Sequence, residues 1–314
     1  MATVMTVTGP MSADELGMTS IHEHIFCDLT RDVQGRDSLL NNVELAYQEL
    51  MRFKDAGGST IIDQTTAGLR GHDNDLLPVN HAIAVRQMAE RTGLNIVLGA
   101  GWYRETYYEQ RLYRMKTDEI AEELVRDVEE GIDGTDVRAG VLGEIGAHFT
   151  WVSPVEERVF RAVARAHKKT GLTILTHAIN SSVGLDQLDI LEHEGVDLRR
   201  VICSHIASGP SHEYAVALAR RGAYFSIEGI GSFRPRYQEN VIQRILYVVE
   251  EGYIDHMMLS HDVCMQFMYT ANGGGGYDYI STTWLPLLKE RGLSDEQLHR
   301  MMVDNPRRAL TGER

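Results

Sequence analysis

Short apolar runs alternate with longer amphipathic stretches along almost all of the 314 residues, and this alternation constrains the fold most strongly. Each run has the length of a strand and is rich in Ile, Val, Leu or Thr. Strict alternation of strands and helices predicts a parallel sheet covered by helices. The eight predicted strands are 20–26, 59–65, 94–100, 138–146, 172–177, 200–205, 223–228 and 256–262.

The stretches between the runs carry apolar residues at helical spacing, and several end at a glycine that suits a helix C-terminus. Eight such units favour one closed (β/α)8 TIM barrel over residues 1–314 rather than an open doubly wound sheet. No glycine-rich dinucleotide or P-loop motif supports the nucleotide-binding alternative. The predicted helices are 42–56, 76–91, 117–131, 154–170, 185–194, 213–221, 239–251, 282–291 and a closing segment at 293–310.

The charge balance and the cysteines exclude several classes of protein. With 31 Lys and Arg against 45 Asp and Glu, the chain lacks the basic footprint of a nucleic-acid or anionic-membrane binder. The N-terminus shows no signal-peptide pattern, and no apolar run reaches the length of a membrane span. Cys27, Cys203 and Cys264 are widely spaced and read as free thiols. We therefore expect a cytoplasmic protein without nucleic-acid or membrane partners, and a homodimer.

Histidines and carboxylates stand at or near the ends of five predicted strands. His22 and His24 are two positions apart, which puts both imidazoles on one face of a strand and Glu23 on the other. In a barrel the C-terminal strand ends meet at one mouth, where barrel enzymes carry their chemistry. The converging residues are His22, His24, Glu144, His177, His205 and Asp262.

This set of nitrogen and oxygen donors suits Zn²⁺, and also Mn²⁺, Co²⁺ or Fe²⁺. Six ligands are too many for a single open zinc site, but they suit two divalent ions that share a bridging carboxylate and a bridging hydroxide. A single histidine at a strand end is more often structural. Six such residues on five strands favour the metal site.

Several short motifs stand at the strand ends and near the C-terminus: GMTSIHEHI at 17–25, RAGV at 138–141, GEIG at 143–146, TH at 176–177, SH at 204–205, LSHD at 259–262 and DNP at 304–306. Through them the chain resembles the phosphotriesterase family of the amidohydrolase superfamily over essentially its whole length. One departure stands out, because the best-known members carry a carboxylated lysine on strand four, whereas this chain has Glu144. The chain resembles the subgroup in which glutamate is the bridge.

The resemblance implies an amidohydrolase-type barrel and a division of the ligands between two metals. His22, His24, Glu144 and Asp262 would hold the first metal, and Glu144, His177 and His205 the second. It implies that Asp262 is the catalytic base that takes the hydroxide proton and passes it to the leaving group. It points to a lactone or a related small carboxylic ester as substrate.

The loops after the strands should form the substrate pocket. Tyr103 occupies the place where related lactonases have a substrate-facing tyrosine, and the arginines of the loop after strand seven suit an anionic group. Four glycines at 273–276 suggest a mobile cover. The predicted substrate-binding residues are Tyr103, Arg104, Glu228, Arg234, Arg236 and Tyr277.

Other functions remain open at this stage. The same site suits hydrolysis of an N-acyl amide, or promiscuous turnover of aryl esters and phosphotriesters. A binding protein with a relic metal site is disfavoured by the complete ligand set. A metal-dependent nuclease would need a basic mouth, which the net charge of −14 disfavours.

Overall fold

The computed structural model describes residues 2–32, 35–70, 80–148, 150–231 and 235–313, with the backbone alone at Arg36 and Pro235. Within them, eight parallel strands follow one another in chain order around a nearly closed barrel. The (β/α)8 prediction is confirmed. The strands are β1 (Thr19–Glu23), β2 (Thr60–Asp63), β3 (Asn95–Ala100), β4 (Val141–Gly146), β5 (Ile174–His177), β6 (Val201–Ser204), β7 (Tyr224–Ile227) and β8 (Met257–Leu259).

The first and last strands meet through a few polar contacts instead of a continuous ladder. The His22 N–H donates to Ser260 Oγ at 2.9 Å, and the Asp262 N–H donates to the His22 carbonyl at 3.2 Å. Most observed strands are shorter than the predicted runs. His24, His205, Glu228 and Asp262 therefore lie just beyond the ends of their strands, where the backbone is free to turn.

The helices follow their predictions closely. Pro154–Thr170 has the predicted bounds, because Ser153 and Glu156 form a reciprocal capping box at its start. Residues 76–79 of the second predicted helix lie outside the described residues. The α-helices are Val43–Asp55, His81–Thr92, Thr117–Glu129, Pro154–Thr170, Val183–His193, His212–Arg220, Pro235–Glu250, Leu285–Glu290, Asp295–His299 and Asn305–Thr311, with π-helical turns at Ile280–Trp284 and Arg300–Asp304.

One apolar side chain from every barrel strand belongs to a single buried cluster. Val4 of an N-terminal hairpin, Thr3–Thr6 with Gly9–Ser12, belongs to the same cluster, as do Leu16 just after the hairpin and Leu310 of the last helix. The sequence analysis did not predict the hairpin. Its contacts close the N-terminal end of the barrel with apolar side chains. The strand residues are Ile21, Ile62, Val97, Val141, Leu175, Ile202, Tyr224 and Met258.

Among the described residues, no helix is long and apolar enough to cross a bilayer. The three cysteines are free, and Cys27 and Cys203 are buried. The single domain over 1–314, the cytoplasmic location and the homodimer stay predictions.

Candidate metal centre

The predicted histidines and the strand-four glutamate converge at the C-terminal end of the barrel. Their donor atoms fall into two groups, and within each group all the atoms lie within 4.8 Å of one another. Glu144 belongs to both groups, and all five residues are buried. One group is His22, His24 and Glu144, and the other is Glu144, His177 and His205.

The Glu144 carboxylate lies between the imidazoles. Its Oε1 is 3.5 Å from His22 Nε2 and 3.2 Å from His205 Nε2, and it contacts His177 Nδ1. Its Oε2 is 3.9 Å from His24 Nε2. Burial opposes ionisation of Glu144, but His177 and His22 hold its pKa well below its usual range. One anionic carboxylate therefore faces four imidazole rings.

Asp262 completes the set from the end of β8. Its Oδ1 is 3.7 Å from His22 Nε2 and 3.4 Å from His24 Nε2, and its Oδ2 is 3.9 Å from His205 Nδ1. The Asp262 side chain is 20% exposed, whereas that of Glu144 is 2% exposed. Asp262 is thus the carboxylate of the centre that a molecule in the mouth can reach.

The donors fit a pair of divalent cations. Both ring nitrogens of His22 are buried and have no hydrogen-bond partner among the described residues, an arrangement that costs free energy unless something else satisfies them. Burial lowers the pKa of His22 to about 4 despite the nearby Glu144 and Asp262 carboxylates. The neutral ring keeps the lone pair that metal ligation requires.

Glu228 contacts the turn that carries His205, and its predicted role in substrate binding stays a prediction. It is buried, its Oε2 accepts the His205 N–H at 2.6 Å, and its Oε1 contacts Ser226 Oγ. His205 has a left-handed backbone conformation, with φ of 67°, which is unfavourable for a residue other than glycine. Burial raises the pKa of Glu228 to about 7, although His205 opposes the shift. The Glu228 carboxylate therefore stabilises the turn that carries the candidate ligand His205.

Tyr103 and Tyr277 both contact the ligands, in different ways. The Tyr103 hydroxyl is 3.2 Å from His177 Nε2, on the side of the ring opposite Glu144. Tyr277 is completely buried, and its hydroxyl donates to the backbone carbonyl of His24 at 2.6 Å. Tyr277 therefore supports the first strand end, and its predicted contact with substrate stays a prediction.

The predicted arginines have different settings. Arg104 is buried beside the Tyr103 ring, with its guanidinium carbon 5.2 Å from the ring centroid, and it forms an ion pair with Asp32. Arg236 is exposed in the first turn of Pro235–Glu250. Arg234 lies outside the described residues.

The glycine-rich segment after β8 is tightly packed. A Cβ on Gly274 would lie 2.2 Å from the Met268 carbonyl, and one on Gly276 would lie 2.3 Å from Thr270 Oγ1. Glycine allows close approach of the backbone at these two positions, and the mobile cover stays a prediction.

Glu23 is the residue that the sequence analysis missed. Strand alternation predicts Glu23 on the face opposite the ligands but not its partners, and its carboxylate accepts hydrogen bonds from Ser260 and His261 just after β8. The available signal was a carboxylate within an apolar strand, because a buried charge requires hydrogen-bond donors.

Comparison with known proteins agrees with this geometry. The model of the phosphotriesterase family matches residues 2–310. The chain belongs to the phosphotriesterase family. The phosphotriesterase homology protein of Escherichia coli is 32% identical over 296 residues, which are 94% of this chain and 98% of that protein. Its structure, complexed with phosphate in the active site, superposes with a TM-score of 0.86 at 31% identity, covering 94% and 99% of the two chains.

Two further similar proteins carry names that state a hydrolytic activity. An N-acetyltaurine hydrolase of Danio rerio is 28% identical over 98% of this chain and 97% of its own length. The structure of a lactonase from Listeria monocytogenes superposes with a TM-score of 0.90 at 29% identity, with both chains fully covered. This chain is therefore a hydrolase of the phosphotriesterase family. The family depends on two metal ions, and this chain has two His/Glu groups to hold them.

Proposed function

We propose that the protein opens a lactone, or hydrolyses a related small carboxylic ester, with a hydroxide held between two divalent metal ions, zinc foremost. The observation that carries the proposal is the pair of donor groups that share the buried Glu144, with the partly exposed Asp262 beside them. The likeness to a lactonase supports the choice of substrate class.

His22, His24, Glu144 and Asp262 would hold one ion, and Glu144, His177 and His205 the other. Bound there, two divalent cations lower the pKa of the water they share and polarise the substrate carbonyl. Imidazole nitrogens and carboxylate oxygens are frequent zinc ligands, which supports zinc over Mn²⁺, Co²⁺ or Fe²⁺.

Asp262 is the proposed base. Burial opposes its ionisation, but the hydrogen bond to His24 and the charge of His205 keep its pKa below its usual range. An ionised, accessible carboxylate would accept the proton of the attacking hydroxide and then give it to the leaving alkoxide.

Tyr103 is the proposed donor to the substrate. Because His177 turns Nδ1 toward Glu144, ligation through Nδ1 leaves the proton on Nε2, which donates to the Tyr103 oxygen. Burial, together with Glu144, holds the pKa of Tyr103 well above its usual value. The phenol thus keeps its own proton for a hydrogen bond to a carbonyl or alkoxide oxygen.

An N-acyl amide is the second candidate, favoured by the likeness to the N-acetyltaurine hydrolase. The same base and donor would act on an amide carbonyl, with the amine as the leaving group. Aryl esters and phosphotriesters are a further class that such a site can turn over promiscuously.

The deciding experiment uses zinc-loaded protein and measures proton release from lactones and aryl phosphotriesters, and release of free amine from N-acetyl amino acids. We expect the highest kcat/KM with lactones and close to two metal ions per chain by elemental analysis. Asp262→Asn is the control for enzymatic turnover and should abolish it on every substrate. Turnover of amides alone would replace the proposed substrate class, and one metal ion or none per chain would refute the two-metal site.

A further inference from the structure

Glu23 lies in β1 between the proposed ligands His22 and His24, and its side chain is completely buried. Five donor groups lie within hydrogen-bond distance of its carboxylate, four of them from the end of β8; the Ser260 hydroxyl among them also lies 2.7 Å from the His22 carbonyl. The Oε1 donors are the His261 N–H at 3.0 Å, His261 Nδ1 at 2.8 Å, Ser20 Oγ at 2.5 Å and Ser260 Oγ at 3.0 Å, and the Oε2 donor is the Val263 N–H at 2.8 Å.

Two of these donors are the peptide N–H groups on either side of Asp262. Asp262 has φ of 57°, a left-handed conformation that costs about 1–2 kcal/mol for an L-residue other than glycine. Its own N–H donates to the His22 carbonyl at 3.2 Å. The turn that presents Asp262 is thus held on both sides by one carboxylate of the strand that carries His22 and His24.

His261 extends the same contact to the segment that follows the last loop. Its Nε2 accepts the Ile280 N–H at 3.0 Å, so its Nδ1 carries the proton that it donates to Glu23. Both side chains are buried, at 2% and 0% exposure. The Glu23–His261 pair therefore joins β1, the Asp262 turn and the π-helical turn Ile280–Trp284.

We propose that Glu23 is a positioning residue for hydrolysis, which fixes the Asp262 turn so that its carboxylate stays beside His22 and His24. This inference rests on the proposed two-metal function. Glu23 is directed away from the mouth and acts through Asp262. A carboxylate suits the place because it offers only acceptors to five donors, whereas a glutamine would turn an N–H₂ group toward some of them.

Glu49 provides a matched control. It is also a buried carboxylate, at 2% exposure, and it also accepts two peptide N–H groups of the segment after β8, those of Thr270 at 3.0 Å and Ala271 at 2.9 Å. It touches none of the proposed ligands. If substitution of Glu23 acted only by loosening the segment after β8, Glu23→Gln and Glu49→Gln should show the same loss of zinc affinity and kcat.

The test compares Glu23→Gln with Glu49→Gln in the full chain. Zinc affinity is measured by chelator competition, stability by urea unfolding of the metal-free protein, and kcat and KM on a substrate found in the panel above. We expect Glu23→Gln to lower zinc affinity and kcat each by about 10–100-fold, as is usual for groups that orient metal ligands. KM should change less than about threefold, since uniform substrate binding is unaltered. Glu49→Gln should leave zinc affinity and kcat unchanged.

Zinc affinity and kcat of Glu23→Gln equal to those of the wild type, or equal to those of Glu49→Gln, would overturn the inference. If Glu23→Gln does not fold, Glu23→Asp keeps the charge on a shorter arm and should still lower zinc affinity, and wild-type affinity there would overturn the inference equally. The proposed function fails separately, when the wild-type chain itself binds fewer than two zinc ions.

Discussion

The two ends of the barrel bury opposite kinds of side chain. At the N-terminal end, one apolar residue from each strand packs with Val4, Leu16 and Leu310. At the C-terminal end, the equally buried positions hold His261, the four candidate ligand histidines and the carboxylates of Glu23, Glu144 and Glu228. Apolar burial stabilises the fold, whereas burial of ionisable groups costs free energy unless partners or metals compensate for it. Of the two ends, we infer that the first contributes to stability and the second carries the chemistry.

The backbone conformation also differs between the two ends of the barrel. The N-terminal end is closed by a regular hairpin, Thr3–Thr6 with Gly9–Ser12. At the C-terminal end, His205 and Asp262 adopt left-handed conformations. Each of these turns has peptide N–H groups bound by a buried carboxylate. Strain of this kind persists only where surrounding contacts enforce it.

Removal of the shared carboxylate should have the largest effect. Glu144→Ala takes a ligand from both donor groups, so we expect kcat/KM to fall by at least about 10³-fold, on the order of 4 kcal/mol of transition-state stabilisation. The measurement is hydrolysis together with metal content by elemental analysis. Retention of two metals and of activity would contradict the role of Glu144 as the bridge.

A cavity at the opposite end should affect stability alone. Leu16 is completely buried, and Leu16→Ala should lower the free energy of unfolding by about 2–5 kcal/mol. Urea unfolding measures the loss, and kcat of the folded, metal-loaded protein should stay within about threefold of the wild type. A large drop in kcat would show that the two ends are coupled.

The carboxyl group of Asp127 should make the free energy of unfolding depend on pH. Burial raises its pKa to about 7, against the opposing charge of Arg70 and with the support of Asp133. The folded chain keeps this proton up to about pH 7, whereas the unfolded chain releases it near pH 4, so stability falls as pH rises across that window.

Asp127→Asn removes this titration. We expect it to be more stable than the wild type at pH 8, by roughly 1–3 kcal/mol, and nearly equal to it at pH 4. Urea unfolding of both chains with a chelator present, across this range, checks the sign. Parallel pH profiles would show that Asp127 titrates normally.

An exposed ion pair should have the smallest effect. Lys289 Nζ lies 2.6 Å from Asp295 Oδ1, and the two side chains are 57% and 78% exposed. Asp295→Asn should change the free energy of unfolding by less than about 1 kcal/mol, with activity unaltered. A larger loss would mean that surface pairs, as well as the apolar end, carry stability.

The alternation of short apolar runs with longer amphipathic stretches was enough to predict the barrel, because the spacing of the apolar residues distinguishes strands from helices. It was also enough to bring the six candidate ligands together, since parallel strands place their C-terminal ends at one edge. The hairpin was missed because its short strands, TVMT and GPMS, lack a regular apolar alternation. The positive φ of His205 and Asp262 carries no local sequence signal such as glycine.

The sequence by itself determined the order of strands and helices, the donor residues at the mouth and the family, because these depend on local periodicity and on the kinds of side chain present. Only the tertiary structure decided what the buried carboxylates and Tyr277 do. Glu23 and His261 are 238 positions apart, and Glu228 holds a turn on the neighbouring strand. Periodicity gives the face of a strand on which a side chain starts, but its hydrogen-bond partners depend on which strand end the closed barrel brings beside it.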